Sequence, residues 1–233
     1  AAAPATNDYA NAGITGATDR TTSLVNDRID GLSATEVDTV AQVQALVSAA
    51  AAVMSGAAAG TAPTLAQLNA LGVTGVTADN LAAVQAAIAA TANDGSGVDS
   101  LSELQTIASN AAAQAAAAIT TISDAAQANT ATATTPAATV YSAAGVTGVT
   151  DGNLAAINNA LNSAAVTGAL TDTAAEIQDL VTAYVAILAG ADADASNDNA
   201  TAITAQYTAI GVTDATDRTT SLVNDRIDGL SAT

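Results

Sequence analysis

Apolar residues recur along the chain at the spacing of one helix face, in a pattern that we call helix type A. Each copy places its key residues nine, twelve and sixteen positions after a glycine. They are Leu81, Val84 and Ile88 in one copy, Leu154, Ile157 and Leu161 in the next, and the weaker set Thr22, Val25 and Ile29 nearest the start. Spacings of three and four residues return a side chain to the same side of an α-helix, so the pattern predicts an amphipathic helix in each copy.

A second pattern, helix type B, opens with a hydroxyl side chain and a Glu or Gln three positions later. The pairs are Thr39 with Gln42, Ser100 with Glu103, and Thr173 with Glu176, and a further glutamine follows each pair two positions on. In a capping box, these two side chains bind backbone amides that the first helical turn leaves unpaired. We therefore expect a helix to begin at each pair, and we expect type B to be the longest of the helices.

A third pattern, helix type C, lies between a proline and a glycine. Pro4, Pro63 and Pro136 each stand nine residues before a glycine that is followed by Ile or Val and then Thr, and Ala202 takes this place before a fourth such glycine. Proline favours the start of a helix and glycine the position past its end, which predicts a short helix with proline in its first turn. We expect the residue four positions before each glycine to be buried. These residues are Tyr9, Leu68, Tyr141 and Tyr207.

The three helix types follow one another and predict an all-α fold of tandem three-helix-bundle repeats of about 66 residues. The expected repeats are 13–71, 72–144 and 145–210, with 1–12 as the last helix of a preceding repeat and 211–233 as the first helix of the next. Residues 17–35 and 215–233 share the same nineteen letters, ATDRTTSLVNDRIDGLSAT, so we expect both ends to be cuts in a longer array. Repeats this small, without Trp or Phe, have little core, and we expect them to stack into a rod or filament.

The charge of the chain narrows the classes of partner. Four basic residues stand against 22 acidic ones, giving a net charge of -18, and His and Cys are absent. Such a chain repels phosphate backbones and anionic lipid surfaces, which argues against nucleic-acid and membrane-surface binding. The longest uncharged run, Thr39 to Ala78, is broken by Gly and Pro and does not predict a membrane span. Without His, Cys or Lys, and without a phosphate-binding or serine-nucleophile motif, we expect no enzyme.

One loop resembles the first half of a calcium-binding loop. Asp192, Asp194, Ser196 and Asp198 alternate oxygen-bearing side chains, and Ca²⁺ takes six to eight oxygen ligands from closely spaced groups. An EF-hand would need glycine and glutamate at later positions where this chain has other residues. The alternative is a solvated loop whose polar residues cap helices.

Two further sets of residues are candidates for contacts between repeats. The four arginines stand beside aspartates and are predicted either to dock one repeat onto an acidic neighbour or to form weak charge pairs on an exposed helix face. Three tyrosines are predicted to anchor the core or an interface. The arginines are Arg20, Arg28, Arg218 and Arg226, and the tyrosines are Tyr9, Tyr141 and Tyr207.

The stretches GVTGVTDGNLAAINNALNSAAVTGALTDTAAEIQDLV and YTAIGVTDATDR resemble the Ala, Thr and Asp-rich helical repeats of giant bacterial surface adhesins and biofilm-matrix proteins, many of them similar to proteins exported by type I secretion. The resemblance implies an extracellular or cell-surface location, a structural or adhesive role, and calcium as a folding aid. The expected partners are neighbouring repeats and other copies of the same protein. Two alternatives stay open, a calcium-responsive binding module and a phage or virion fibre component.

Overall fold

The computed structural model describes residues 3–128, 135–191 and 201–230, and within these ranges all regular structure is helical. The predicted all-α class is thus confirmed. The helices in the described ranges are α1 (Thr6–Asn11), α2 (Asp19–Asp30), α3 (Val40–Ala57), α4 (Leu65–Ala70), α5 (Ala78–Ala89), α6 (Leu101–Ala128), α7 (Ala138–Ala143), α8 (Leu154–Leu161), α9 (Ala174–Ala189), α10 (Thr204–Ala209) and α11 (Asp217–Asp228). Short 3₁₀ turns, Ala34–Glu36 and Gly168–Leu170, precede α3 and α9.

Each predicted helix type coincides with a set of observed helices. Type A corresponds to α2, α5, α8 and α11, type B to α3, α6 and α9, and type C to α1, α4, α7 and α10. As expected, the type B helices are the longest, with 18, 28 and 16 residues. Their alanine-rich faces are buried beside the aliphatic stripe, as at Ala49 and Ala50 of α3.

Type B helices begin at the predicted capping boxes. The Gln42 backbone N–H donates to Thr39 Oγ1 at 3.3 Å, and the Thr39 N–H donates to Gln42 Oε1 at 2.9 Å. Thr173 and Glu176 form the same pair of bonds at the start of α9. These bonds satisfy amides that the first turn leaves without helical partners. These contacts also lower the pKa of Glu176. The largest contribution is the hydrogen bond from the Thr173 hydroxyl, and the Thr173 backbone N–H adds a smaller one.

Type C helices end in Schellman motifs built around the predicted glycines. In α1, the Ile14 N–H donates to the Tyr9 carbonyl and the Gly13 N–H to the Ala10 carbonyl, both at 3.0 Å, with Gly13 at a φ of 82°. A positive φ is open to glycine at no steric cost, and the motif brings the residue after glycine against the residue four before it. Tyr9 and Ile14 are both buried. The motif therefore explains why a buried Tyr or Leu precedes each of these glycines by four positions.

The predicted place of the prolines was wrong. Pro4, Pro63 and Pro136 each lie one residue before the N-cap, so they precede the helix instead of sitting in its first turn. The N-cap residue that follows has extended backbone angles, as at Ala5 with φ -90° and ψ 165°. The physical reason is that the carbonyl of the proline is needed outside the helix, where it accepts a side-chain hydrogen bond described below.

The described residues fall into two compact units, which are divided between residues 114 and 115. The core of the first gathers Leu24, Val25, Val47, Leu68 and Ile88, with α3 packed against α2, α4 and α5. The core of the second gathers Ile122, Tyr141, Ile157, Leu161 and Ile177, with α9 packed against α8 and α10. The unit boundary lies within α6 and differs from the predicted repeat boundaries, which stay a prediction.

Among the described helices, α3 is long and apolar enough to cross a membrane by length and composition. Seven of its residues are buried, including Leu46, Val47 and Val53. The helix packs against three others in the first compact unit. Its apolar character is accounted for by its position in this core.

Candidate functional site

A glutamine clamp joins the loops after α1, α4 and α7 to the start of the type B helix that follows each of them. The Thr15 N–H donates to Gln44 Oε1 at 2.8 Å, and Gln44 Nε2 donates to the Thr15 carbonyl at 3.0 Å. The same two bonds join Thr74 with Gln105, at 2.9 and 3.1 Å, and Thr147 with Gln178, at 2.8 and 3.2 Å. One side-chain amide thus pairs a backbone donor and acceptor across 29 to 31 residues of sequence.

A tyrosine clamp joins helix types C and A. Tyr9 Oη donates to Asn26 Oδ1 at 2.6 Å, and Asn26 Nδ2 donates to the Pro4 carbonyl at 2.9 Å. The arrangement recurs at Tyr141 with Asn158 and at Tyr207 with Asn224. Burial raises the pKa of all three tyrosine hydroxyls. The three predicted anchor tyrosines therefore lie in equivalent positions, each with its hydroxyl held by a type A helix.

At the one equivalent position without a hydroxyl, the partner residue preserves part of the tyrosine clamp. Leu68 replaces tyrosine in α4, and Gln85 stands seventeen residues later, where the other copies carry asparagine. Gln85 Nε2 donates to the Pro63 carbonyl at 2.8 Å, so the bond to this carbonyl is kept without the tyrosine. Sequence reasoning missed the glutamine and asparagine partners, although their nearly constant separations from Thr and Tyr were visible.

The two arginines of α2 make contacts with other segments of the first compact unit. Arg20 Nη1 contacts Asp99 Oδ2 at 2.5 Å, and Arg20 Nη2 contacts Asp94 Oδ2 at 3.1 Å. Arg28 Nε donates to the Ala70 carbonyl at 2.9 Å, at the end of α4. A bond from the Ser96 backbone N–H, with a smaller contribution from Arg20, lowers the pKa of Asp94. The acidic partners lie in the predicted repeat 72–144, but a repeat-docking role for these arginines stays a prediction.

The second copy of the nineteen-residue segment has the same sequence and a different environment. Leu24 and Val25 of α2 are both 0% exposed, whereas their equivalents in α11, Leu222 and Val223, are 71% and 42% exposed. Within the described part of the second unit, Arg218 and Arg226 form no ion pair. Identical residues therefore form a core face in one copy and an open face in the other.

The open face of α10 and α11 contains an apolar groove, which we call the acceptor groove, of about 320 Å³. Its lining includes Tyr207, Val212, Thr213, Thr220 and Val223. The equivalent residues in the first copy are Tyr9, Ile14, Thr15, Thr22 and Val25, where four side chains are buried and Thr15 is held by Gln44 of α3. In the described ranges, no glutamine bonds to the backbone of Thr213. The groove is the counterpart of the surface that α3 covers in the first unit.

The predicted calcium ligands Asp192, Asp194, Ser196 and Asp198 lie outside the described residues. Elsewhere, the part of the chain that the structure describes contains no group of three or more Asp, Glu, His or Cys side chains that could hold a metal ion. Calcium binding therefore stays a prediction from the sequence.

Comparison with protein-family models, with curated proteins and with solved structures found no match to this chain.

Proposed function

We propose that this chain is a structural repeat segment of a large extracellular bacterial protein. In this proposal, tandem three-helix bundles form a helical stalk or a self-associating surface filament that serves adhesion or a biofilm matrix. The partners are neighbouring repeats of the same chain and other copies of the same protein.

The observation that carries the proposal is the recurrence of the two clamps. Among the described residues, the glutamine clamp appears three times with the same atoms, at Gln44, Gln105 and Gln178. The tyrosine clamp appears three times, and in the remaining copy Gln85 preserves one of its bonds. A protein that keeps the same connections between successive helices, while its helix lengths vary, preserves the geometry of each junction. Such regularity is typical of arrays in which each unit contacts its neighbours.

The use of polar side chains supports the same proposal. The glutamines, asparagines and capping residues are bonded to backbone atoms of loops and helix ends, where they fix the connections between helices. Glu36 is a capping residue of this kind. Its carboxylate accepts hydrogen bonds from the Ser33 hydroxyl at 2.6 Å and the Ser33 N–H at 2.9 Å, and these bonds lower its pKa. A net charge of -18 adds mutual repulsion, which keeps an exposed array in solution.

A series of proteins with one, two and three copies of residues 17–214 tests the structural proposal. Small-angle X-ray scattering measures the maximum dimension of each protein, and electron microscopy shows its shape. We expect the dimension to grow by a constant increment for each added copy, because each unit extends the same array. A dimension that grows only as the cube root of the mass would refute a stalk or filament.

The proposed location needs its own test in the source bacterium. An antibody raised against residues 1–233 is applied to intact cells and to permeabilised cells. We expect equal labelling of both, since an exported array is accessible without permeabilisation. Labelling confined to permeabilised cells would refute the extracellular location and leave the structural proposal to be judged by scattering.

A further inference from the structure

We propose that the acceptor groove binds a helix with the residue pattern of α3. The occupant is an amphipathic helix that opens with a threonine capping box, carries glutamine five positions after that threonine, and continues with an aliphatic stripe. The inference names the contact by which one unit of the proposed array would join the next, and in that sense it rests on the proposed function. It goes beyond that function by naming the surface and the chemistry of its partner.

The first argument is the internal duplication. The same nineteen residues occur in α2 and α11, and the tyrosine clamp is the same at Tyr9 and Tyr207, with an Oη to Oδ1 distance of 2.6 Å in both. The two surfaces therefore have nearly the same side chains on the same local framework. In the first copy, this surface packs against α3, which makes α3 an observed occupant of the site in its covered form.

The second argument is the pair of backbone hydrogen-bonding groups at the edge of the groove. In the first copy, the Gln44 side chain accepts a hydrogen bond from the Thr15 N–H and donates one to the Thr15 carbonyl. In the second copy, Thr213 is exposed and presents the equivalent donor and acceptor at the edge of the groove. An apolar surface alone would accept many helices, but a paired backbone donor and acceptor selects a carboxamide side chain at one position.

The third argument identifies the face of the incoming helix. Val43 lines the same surface depression as Tyr9 and Ile14, and Gln44 is its neighbour in sequence. Val47 lies one turn further along α3 and is 1% exposed. A helix that places its glutamine on Thr213 would therefore direct aliphatic residues at these two positions toward Val212 and Val223.

A synthetic peptide of residues 36–58, acetylated and amidated, tests the inference against the 233-residue chain. Isothermal titration calorimetry gives the affinity and stoichiometry, and the backbone amide resonance of Thr213 reports the position of binding. We expect saturable one-to-one binding with a shift of that resonance. Two changes should each weaken binding, Val223→Asp by at least about tenfold, since a charge would enter the apolar contact, and Gln44→Leu in the peptide by roughly threefold to tenfold, since two hydrogen bonds would be lost.

The matched control is Ser221→Asp. It introduces the same charge two residues away on the same helix, at a position that is exposed in both copies, as Ser23 and as Ser221. Its affinity should equal that of the unaltered chain. Circular dichroism melting of all variants shows whether α10 and α11 stay folded, and the Gln44→Leu peptide tests the site without altering the protein.

Three results would overturn the inference. The first is no binding of the peptide at concentrations up to its solubility limit. The second is binding that Gln44→Leu leaves unchanged or strengthens, which would indicate non-specific apolar association. The third is saturable binding of the peptide that leaves the Thr213 amide resonance unshifted, because the peptide would then occupy a surface other than the acceptor groove. None of these results affects the scattering increments expected for the array, so the two proposals fail separately.

Discussion

The glutamine clamp offers a direct test of what fixes the helix connections, through the substitution Gln105→Ala. Gln105 is half-buried and bonds the N–H and the carbonyl of Thr74 at 2.9 and 3.1 Å. Each hydrogen bond contributes about 0.5–1.5 kcal/mol net, so the two together contribute about 1–3 kcal/mol, and partial solvent access places this sum in the lower part of its range. We therefore expect the free energy of unfolding of the first compact unit to fall by about 1–2 kcal/mol.

Two measurements report this loss. Calorimetry should show the melting temperature of the first unit reduced by roughly 4–8 °C for each kcal/mol. Hydrogen exchange should show the Thr74 amide losing protection by about tenfold for each 1.4 kcal/mol, because this N–H loses its acceptor. The second unit serves as an internal reference in the same sample.

Gln114→Ala is the matched control, since Gln114 lies on the same helix, is exposed and has no hydrogen bond to another described residue. Alanine is at least as good a helix former as glutamine, so this control should change stability by no more than about 0.5 kcal/mol. Equal effects of the two substitutions, together with unchanged exchange at Thr74, would refute a stabilising role for the clamp.

Three further predictions concern charge, backbone conformation and pH. Arg20→Ala should lower stability by about 0.5–1 kcal/mol, measured by urea unfolding at low salt, because Asp94 and Asp99 lose their ion-pair partner, whereas Arg218→Ala in the identical sequence should have almost no effect. Asp214→Gly should raise the melting temperature, with a gain of about 0.5–1 kcal/mol, because Asp214 has a φ of 60° where the equivalent residues are glycines. The melting temperature should stay nearly constant between about pH 6 and 9, since the side chains include no His, Cys or Lys, and should fall above about pH 10.

The sign of the pH effect follows from the buried tyrosines. Burial raises the pKa of Tyr141 in the folded chain, so above the ordinary tyrosine pKa the unfolded chain ionises while the folded chain stays neutral. The stabilisation is complete below that pKa and is lost as pH rises toward the folded value. A melting temperature that rises above pH 10 would contradict this reasoning, as would equal losses from Arg20→Ala and Arg218→Ala, or a loss of stability in Asp214→Gly.

The sequence predicted the parts of the fold that depend on neighbouring residues. Capping boxes act over three residues and Schellman glycines over five, so Thr39 and Gly13 could be assigned without knowing what packs on them. The place of Pro4 was predicted wrongly because the local conformational preference of proline suits both the first turn of a helix and the residues just before it. The deciding contact, from Asn26 to the Pro4 carbonyl, spans 22 residues.

The candidate site was harder to predict because its partners are distant in sequence. Nothing near Gln44 indicates that it binds the backbone of Thr15, and only the repeated separation of about 30 residues carries that information. The acceptor groove could not be predicted at all from periodicity. Val25 and Val223 have the same neighbours in sequence, and their different exposure is set by which helix lies beside them.

The position of the clamps also indicates where the proposed array could change length. In each copy, both clamps begin at or after the residue that precedes the N-cap of the type C helix. Both end at or before the glutamine of the following type B helix. In the first copy these two limits are Pro4 and Gln44. The stretch from that glutamine to the next proline is crossed by neither clamp. In the proposed array, insertions and deletions placed there would preserve both clamps, so whole units could be gained or lost without breaking a junction.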